Sequence, residues 1–376
     1  SFGALATFFL VTEQGLQLLW RLAAGWLPAE LAVDHVEGRI IGPLDIRGLR
    51  YDDETLRLEL DHARLDWVPA RLLRGTLWLE RIAVRGLDYS VLQSVPEKRD
   101  GFKLPESMGL PLRIVLAELS LQEAAYSPAP GSEPLRLDHA RLAAEAGPRQ
   151  WSVSRLELYS PRLDLQGDLQ LQVEREYAVA GRLQWQLRPT DYPAVDGRTE
   201  LQGNLRELLV TQTLASPYNS RAKLSLENPI DALRFSARLN LTQIALQTFD
   251  ADLPPLTMEG EITASGDLTE NRIAANLQIL DPNLGQLQAV VAAGFDTEAL
   301  LIDSLRLTLG GHSGMIDTKG KVLIGEQQPK LALQTTWQDL RWPLQGQSIV
   351  RSSQGTLDIN GTFDQLSAEI DASILQ

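Results

Sequence analysis

Leu56-Arg57-Leu58-Glu59-Leu60-Asp61-His62-Ala63-Arg64-Leu65-Asp66-Trp67 decides how the rest of the chain is read. Leu56, Leu58 and Leu60 alternate with Arg57, Glu59 and Asp61, and Ala63, Leu65 and Trp67 alternate with Arg64 and Asp66. Successive side chains of an extended strand point to opposite faces. A period of two therefore gathers the apolar groups on one face and the charged groups on the other.

The same beat runs outward. It begins near Leu44 and continues through Leu77–Leu79, Ile82–Val84 and Leu87–Tyr89–Val91. It returns at Leu156–Leu158, Leu163–Leu165, Leu169–Leu171–Val173 and Leu183–Trp185–Leu187. Leu224–Leu226, Leu239–Leu241, Leu305–Leu307–Leu309, Leu331–Leu333 and Leu357–Ile359 carry it toward the end. Gly, Asn, Asp and Pro punctuate the pattern every ~8–14 residues, which predicts antiparallel hairpins. Only Pro69 to Leu73 and Leu205 to Val210 carry helical character past residue 28. The stretches from Gln93 to Pro111 and from Ser127 to Pro134 read as polar, proline-containing excursions from the sheet.

A motif recurs. Gly197-Arg-Thr-Glu-Leu-Gln-Gly203-Asn-Leu205 aligns with Gly260-Glu-Ile-Thr-Ala-Ser-Gly266-Asp-Leu268 and with Gly355-Thr-Leu-Asp-Ile-Asn-Gly361-Thr-Phe363. Leu163 to Leu169 and Ile316 to Val322 are looser copies. Each reads as a strand ending in a glycine corner, where the glycine supplies a positive φ or a bulge. The uneven spacing argues for an elongated, irregular sheet rather than a propeller of fixed blade length.

Composition narrows the function. Of 376 residues, 44% are hydrophobic and 68 are leucine; 35 basic residues face 49 acidic ones, a net charge of −14. Nucleic-acid binding needs clustered Lys and Arg and is excluded on that balance. The absence of cysteine removes disulfides, thiolate catalysis and cysteine-ligated metal, and fits a non-reducing compartment.

The first 28 residues differ from the rest. An apolar run from Phe2 to Val11, with Phe8, Phe9 and Leu10, precedes a helically spaced set of Leu16, Leu19, Trp20, Ala23 and Leu27, closed by Pro28. With Trp26, this fits the tail of a membrane anchor followed by an amphipathic helix at the membrane–water interface. An ordinary buried helix, or a plug packed on the sheet, fits the same spacing. The domain reading is an anchor over 1–28 and a β body over 29–376.

A search for chemistry returns little. His35, His62, His139 and His312 stand far apart without ligand spacing; His62 and His139 share Leu-Asp-His-Ala-Arg-Leu, which reads as a repeated strand start. Gly310-Gly-His-Ser-Gly314 lacks the spacing of a nucleophile elbow. Asp52-Asp53-Glu54 reads as a hairpin tip, and there is neither a phosphate-binding loop nor a dinucleotide fingerprint. The chain therefore reads as a non-enzyme with no cofactor and no metal.

Two uses of the leucine face compete. Two sheets pressed together would make it the core of a sandwich. Alternatively, one long sheet curls into an open trough whose apolar face holds acyl chains. Unbroken alternation, sparse aromatic anchors and flexible aliphatic side chains suit the trough. At about 4.8 Å per strand and about 25–30 strands, such a sheet would extend on the order of 120–140 Å. The lining candidates are Leu56, Leu58, Leu60, Leu65, Trp67, Leu77, Leu79, Leu156, Leu158, Leu163, Leu165, Leu169, Leu171, Leu183, Trp185, Leu224, Leu226, Leu239, Leu241, Leu305, Leu307, Leu331, Leu333, Leu357 and Ile359.

Several segments carry a resemblance. They are Thr12-Glu-Gln-Gly-Leu-Gln-Leu-Leu-Trp-Arg-Leu-Ala-Ala-Gly-Trp-Leu-Pro28, Val36-Glu-Gly-Arg-Ile-Ile-Gly-Pro-Leu-Asp-Ile-Arg-Gly-Leu-Arg-Tyr51, Leu72-Leu-Arg-Gly-Thr-Leu-Trp78 and Ile82-Ala-Val-Arg-Gly-Leu-Asp88. Near the end, Trp337-Gln-Asp-Leu-Arg-Trp-Pro-Leu344 and Gly355-Thr-Leu-Asp-Ile-Asn-Gly361 join them. The chain resembles the TamB family of AsmA-like, bridge-type lipid-transfer proteins, over essentially its whole length but more by pattern than by letter in the middle. The family's C-terminal domain is absent from this sequence. The resemblance implies a β-groove (a β-taco) in the periplasm of a Gram-negative bacterium, anchored in the inner membrane. It also implies phospholipid as cargo and TamA, or a related outer-membrane barrel, as partner. Passage of lipid toward the outer membrane is one implied role; scaffolding the assembly of outer-membrane barrels or autotransporters is the other.

Overall fold

A computed structural model describes residues 30–375 apart from 40, 94–106, 175, 191, 230–231, 251, 284, 297, 311–313, 325–328, 343–348 and 363–364. The predicted anchor and interfacial helix, with Phe2, Phe8, Phe9, Leu10, Trp20 and Trp26, lie outside the described residues, as do residues 311–313 of the Gly310–Gly314 stretch. Among the described residues no helix is long and apolar enough to cross a membrane.

The chain divides into two units, Ser1–Arg188 and Pro189–Gln376. The first contains β1 (Leu31–Gly38), β2 (Leu44–Asp52), β3 (Leu56–Trp67), β4 (Thr76–Val91), β5 (Arg113–Ser127), β6 (Leu135–Ala146), β7 (Gln150–Tyr159), β8 (Leu163–Gln172) and β9 (Val179–Leu187). The second contains β10 (Val195–Gly203), β11 (Glu207–Leu214), β12 (Ser220–Glu227), β13 (Arg234–Ala245), β14 (Thr257–Asp267), β15 (Asn271–Asp281), β16 (Gly285–Phe295), β17 (Ala299–Leu309), β18 (Met315–Leu323), β19 (Lys330–Trp342), β20 (Val350–Thr362) and β21 (Gln365–Leu375). Within each unit every strand pairs with the next in sequence, as hairpin punctuation predicts. The nearly all-β reading holds: the described helical pieces are two 3-10 turns, Pro69–Arg74 and Leu246–Thr248.

Several expectations need correction. The β4–β5 pair is parallel, with Leu77 opposite Ile114 and Ile82 opposite Leu119. Parallel neighbours need a connection of a dozen or more residues. The excursion around residues 93–111 is thus the crossover that returns the chain to the same end of the sheet. Leu205 to Val210 does not form a helix. Asn204 Oδ1 accepts hydrogen bonds from the N–H groups of Arg206 (2.8 Å) and Glu207 (3.0 Å), closing a tight turn. Leu208 and Val210 then pair with Leu226 and Leu224, so cross-strand pairing outweighs a weak local helical pattern. Gly203, Gly266 and Gly361 lie at the last or next-to-last positions of β10, β14 and β20, as the repeat predicts, but Gly167 and Gly320 of the looser copies lie inside β8 and β18. His62 and His139 likewise sit within β3 and β6, not at strand starts. The 21 described strands fall below the predicted count because individual strands reach 16 residues and run through glycines read as corners.

Among the described residues, neither unit closes over its apolar face. Buried hydrophobic side chains among the described residues of the first unit are Val115, Val173 and Tyr177; those of the second are Ile244, Ala289, Ala293, Ala299 and Leu309. A sandwich core would place most inward leucines in that class. Here they are half-buried.

Candidate functional site

Cross-strand register joins the separate alternations into one surface in each unit. In Ser1–Arg188, Leu44 pairs with Leu65, Leu65 with Ile82, Ile82 with Leu119, Leu119 with Leu142, Leu142 with Leu156, Leu156 with Gly167, and Gly167 with Leu183. A second row runs Ile46, Ala63, Val84, Leu121, Ala140, Leu158, Leu165, Trp185. Paired residues share a face, so these rows run perpendicular to the strands as continuous apolar bands. Toward the strand ends, Leu60 meets Leu49 and Leu87, Leu58 meets Tyr51 and Tyr89, and Leu56 meets Val91. Trp67 meets Leu79, and Leu77 meets Ile114. Leu163 pairs with Leu187, Leu169 with Val153 and Leu171 with Trp151.

In Pro189–Gln376, Leu224 lies between Val210 and Ala237, Leu226 between Leu208 and Phe235, Leu239 between Ala222 and Ile262, and Leu241 between Ser220 and Gly260. Leu305 joins Val291 to Thr318, and Leu307 joins Ala289 to Ile316. Leu331, Leu333, Leu357 and Ile359 pair with Gly361, Ile359, Thr335 and Ala368 respectively or in turn. Every lining candidate therefore sits in a strand at a position paired within the apolar rows of its unit. All are half-buried except Leu169, which is 38% exposed. Among the described residues, the buried side-chain atoms without a hydrogen-bond partner, Trp151 Nε1, Gln212 Nε2 and Asn271 Oδ1, belong to residues in these same rows.

Sequence reasoning missed the device that keeps the first unit in phase. Gly48 (φ 64°), Gly86 (φ 65°) and Glu123 (φ 56°) adopt left-handed backbone in β2, β4 and β5. Flanking pairs place them opposite Asp34, Asp61 and Asp138, each followed by His35, His62 or His139. At this line the alternation skips one residue on both strands, so Leu58 and Leu60 before it and Ala63 and Leu65 after it share the apolar face. The signal was present: an Asp-His dipeptide puts two polar residues together where strict alternation allows one. Tyr51, Tyr89 and Tyr126 stand three residues past the left-handed positions, and the Tyr89 and Tyr126 rings stack with centroids 5.6 Å apart.

The opposite face is polar and ion-paired. His62 Nε2 lies 2.8 Å from Asp45 Oδ2, Arg50 bonds Asp34 at 2.7 Å, and Arg306 donates to Asp317 at 2.8 Å. Coupling to the His62 and Arg47 side chains holds the Asp45 carboxyl below its ordinary range, against the opposing effect of desolvation. Exposed pairs of this kind add little stability individually; their role is to keep this face in water. Among the described residues no group of His, Cys, Asp or Glu side chains is arranged to hold a metal.

A sheet with one charged face and one half-exposed apolar face, with no second layer among the described residues, belongs to the class of open-faced β proteins. Sequence comparison gives the family: the description "TamB, N-terminal domain" matches residues 2–101 and 101–325, and the chain belongs to that family. Comparison with curated proteins and with solved structures found no match.

Proposed function

We propose that this chain is the N-terminal part of a periplasmic bridge, anchored in the inner membrane of a Gram-negative bacterium, that carries phospholipid along its apolar face toward the outer membrane. The observation that carries the reading is the set of leucine-rich apolar rows of the first unit, continuous across its strands and left half-exposed rather than buried. Each CH₂ removed from water is worth about 0.8 kcal/mol, so a bare acyl chain in water is prohibitive, while sliding between equivalent apolar rows is nearly isoenergetic. Headgroups stay in water at the open edge. No chemical step is required on this reading, and direction comes from outside this chain. Docking to TamA or a related barrel belongs to the family's C-terminal part.

The test is a charge pair on the face. Leu163→Asp with Leu165→Asp should abolish crosslinking of a photoactivatable phospholipid along β8 and beyond while leaving the β circular dichroism unchanged. Full crosslinking in the folded double variant sinks the conduit. A second reading, a scaffold for assembling outer-membrane barrels, draws on β21, which pairs with β20 and exposes Leu366, Ile370 and Ile374. Proline in β21 would impair that role and spare lipid crosslinking.

A further inference from the structure

One rim of the first unit is built unlike the other. The β3–β4 connection, Pro69-Ala70-Arg71-Leu72-Leu73-Arg74-Gly75, leaves Leu73 92% exposed and Leu72 46% exposed between two arginines, with no acidic residue in the stretch. A solvated hairpin tip normally carries polar side chains, and leucines this bare at an ordered turn mark a surface awaiting a partner. The turn is defined by Pro69 at its start and by Gly75 (φ 73°) at its end. The Arg71 guanidinium lies 3.6 Å from the centre of the Trp78 ring, tying the turn to β4. Register places the β1–β2 connection at this same rim, and it adds the exposed Arg39 beside half-buried Ile41. Across the sheet from these turns, Asp52, Asp53 and Glu54 turn β2 into β3. Farther along, exposed Glu133 and Arg162 lie on that opposite rim, and exposed Glu174 and Glu176 of the β8–β9 connection on the Leu72–Leu73 rim, so the charge contrast belongs to the β1–β4 end of the unit.

We propose that the Leu72–Leu73 tip seats in the surface of an anionic lipid bilayer, with the leucines at the acyl boundary and Arg71, Arg74 and Arg39 among the headgroup phosphates. Apolar side chains flanked by cations suit a headgroup layer, where the arginine stems stay apolar and their heads stay hydrated. Anionic lipid attracts the arginine-bearing turns at the β1–β4 end and repels the Asp52–Glu54 turn across the sheet from them, so charge favours the Leu72–Leu73 edge there. The inference deepens the proposed function, since it rests on this part of the chain lying beside a membrane, and it names the contact that holds the groove there.

Because the chain has no cysteine, Leu73→Cys gives a unique site for a polarity-sensitive fluorophore in the whole chain. Vesicles containing phosphatidylglycerol should shift its emission to the blue and protect it from iodide. The same label at Glu133→Cys should stay water-like, and added salt should weaken the shift. Arg71→Glu with Arg74→Glu should remove the response at position 73 while the β circular dichroism is retained. A label at 73 that stays water-like while the chain co-sediments with the vesicles overturns the proposal and leaves the lipid-carrying reading intact. An equal shift with pure phosphatidylcholine overturns its anionic part. A shift at 73 together with persistent crosslinking in the Leu163, Leu165 double variant would instead sink the conduit alone.

Discussion

In Ser1–Arg188 one apolar row reads Leu44, Leu65, Ile82, Leu119, Leu142, Leu156; in Pro189–Gln376 a row reads Thr199, Gln212, Ala222, Leu239, Ile262, Ala275. The first unit fills its face with large side chains and restores the phase of its alternation at polar Asp-His creases. The second thins its face with Ala, Thr and Gly. At Gly260 and Gly320 (φ 141° and 153°) a Cβ would collide with the carbonyl oxygens of Asn276 and Ala332 on the neighbouring strand. Two local chemistries thus serve one end, keeping a one-sided sheet one-sided: a left-handed residue that shifts parity, and a glycine that lets neighbouring backbone come close.

Substitution at those glycines should separate the units most. Gly320→Val should cost about 3–5 kcal/mol, because the backbone region is reserved for glycine and the obstacle is rigid backbone. Hydrogen exchange should show the loss in β18 and β19. Gly86→Ala should cost less, about 2 kcal/mol, since the obstacle is the Asp61 side chain, whose carboxylate can swing away while its Cβ, 2.8 Å off, must give slightly. Equal costs would break the distinction between the two devices.

A smaller effect is expected from Leu65→Ala and Leu333→Ala, about 1–2 kcal/mol each by denaturant unfolding, because both side chains already meet solvent. Values of about 2–5 kcal/mol, typical of a packed core, would mean that the faces are closed.

The smallest effect is on pH. Hydrogen bonds from the Thr269 hydroxyl and the N–H groups of Glu270 and Thr269 lower the Asp267 pKa from 3.8 to about 2. The Thr55 hydroxyl, the Leu56 and Thr55 N–H groups and the Tyr51 hydroxyl push Asp53 lower still. Native values below the unfolded one mean stabilisation that is complete above about pH 4 and fades as the pH falls through the native pKa. Carboxylate chemical shifts should show Asp267 titrating before Asp53 on acidification. Ordinary titration of both would remove the turns' contribution.

Much of this was legible in the chain. Leu56 to Trp67 was read as a strand with the correct face, and Pro69 to Leu73 as a helical turn, because both depend on neighbours in sequence. The Leu205–Val210 strand, the parallel β4–β5 pair and the interior positions of Gly167 and Gly320 were not legible, because each depends on a partner strand. The Asp-His creases fell between: the dipeptides are visible, but their left-handed partners Gly48, Gly86 and Glu123 lie 14 to 25 residues away, or precede them. Exposure of Leu72 and Leu73 could not be read at all, since apolar residues in a helical turn are more often covered.

By itself, then, the sequence determined that this protein is a β chain with one apolar and one charged face, because side-chain direction in a strand has a period of two. Only the tertiary structure decided that the apolar residues form continuous rows, that among the described residues no second layer covers them in either unit, and that the arginine-flanked Leu72–Leu73 turn lies across the sheet from the acidic Asp52–Glu54 turn. Those are properties of register and of what packs against a face, and pairing between distant residues sets both.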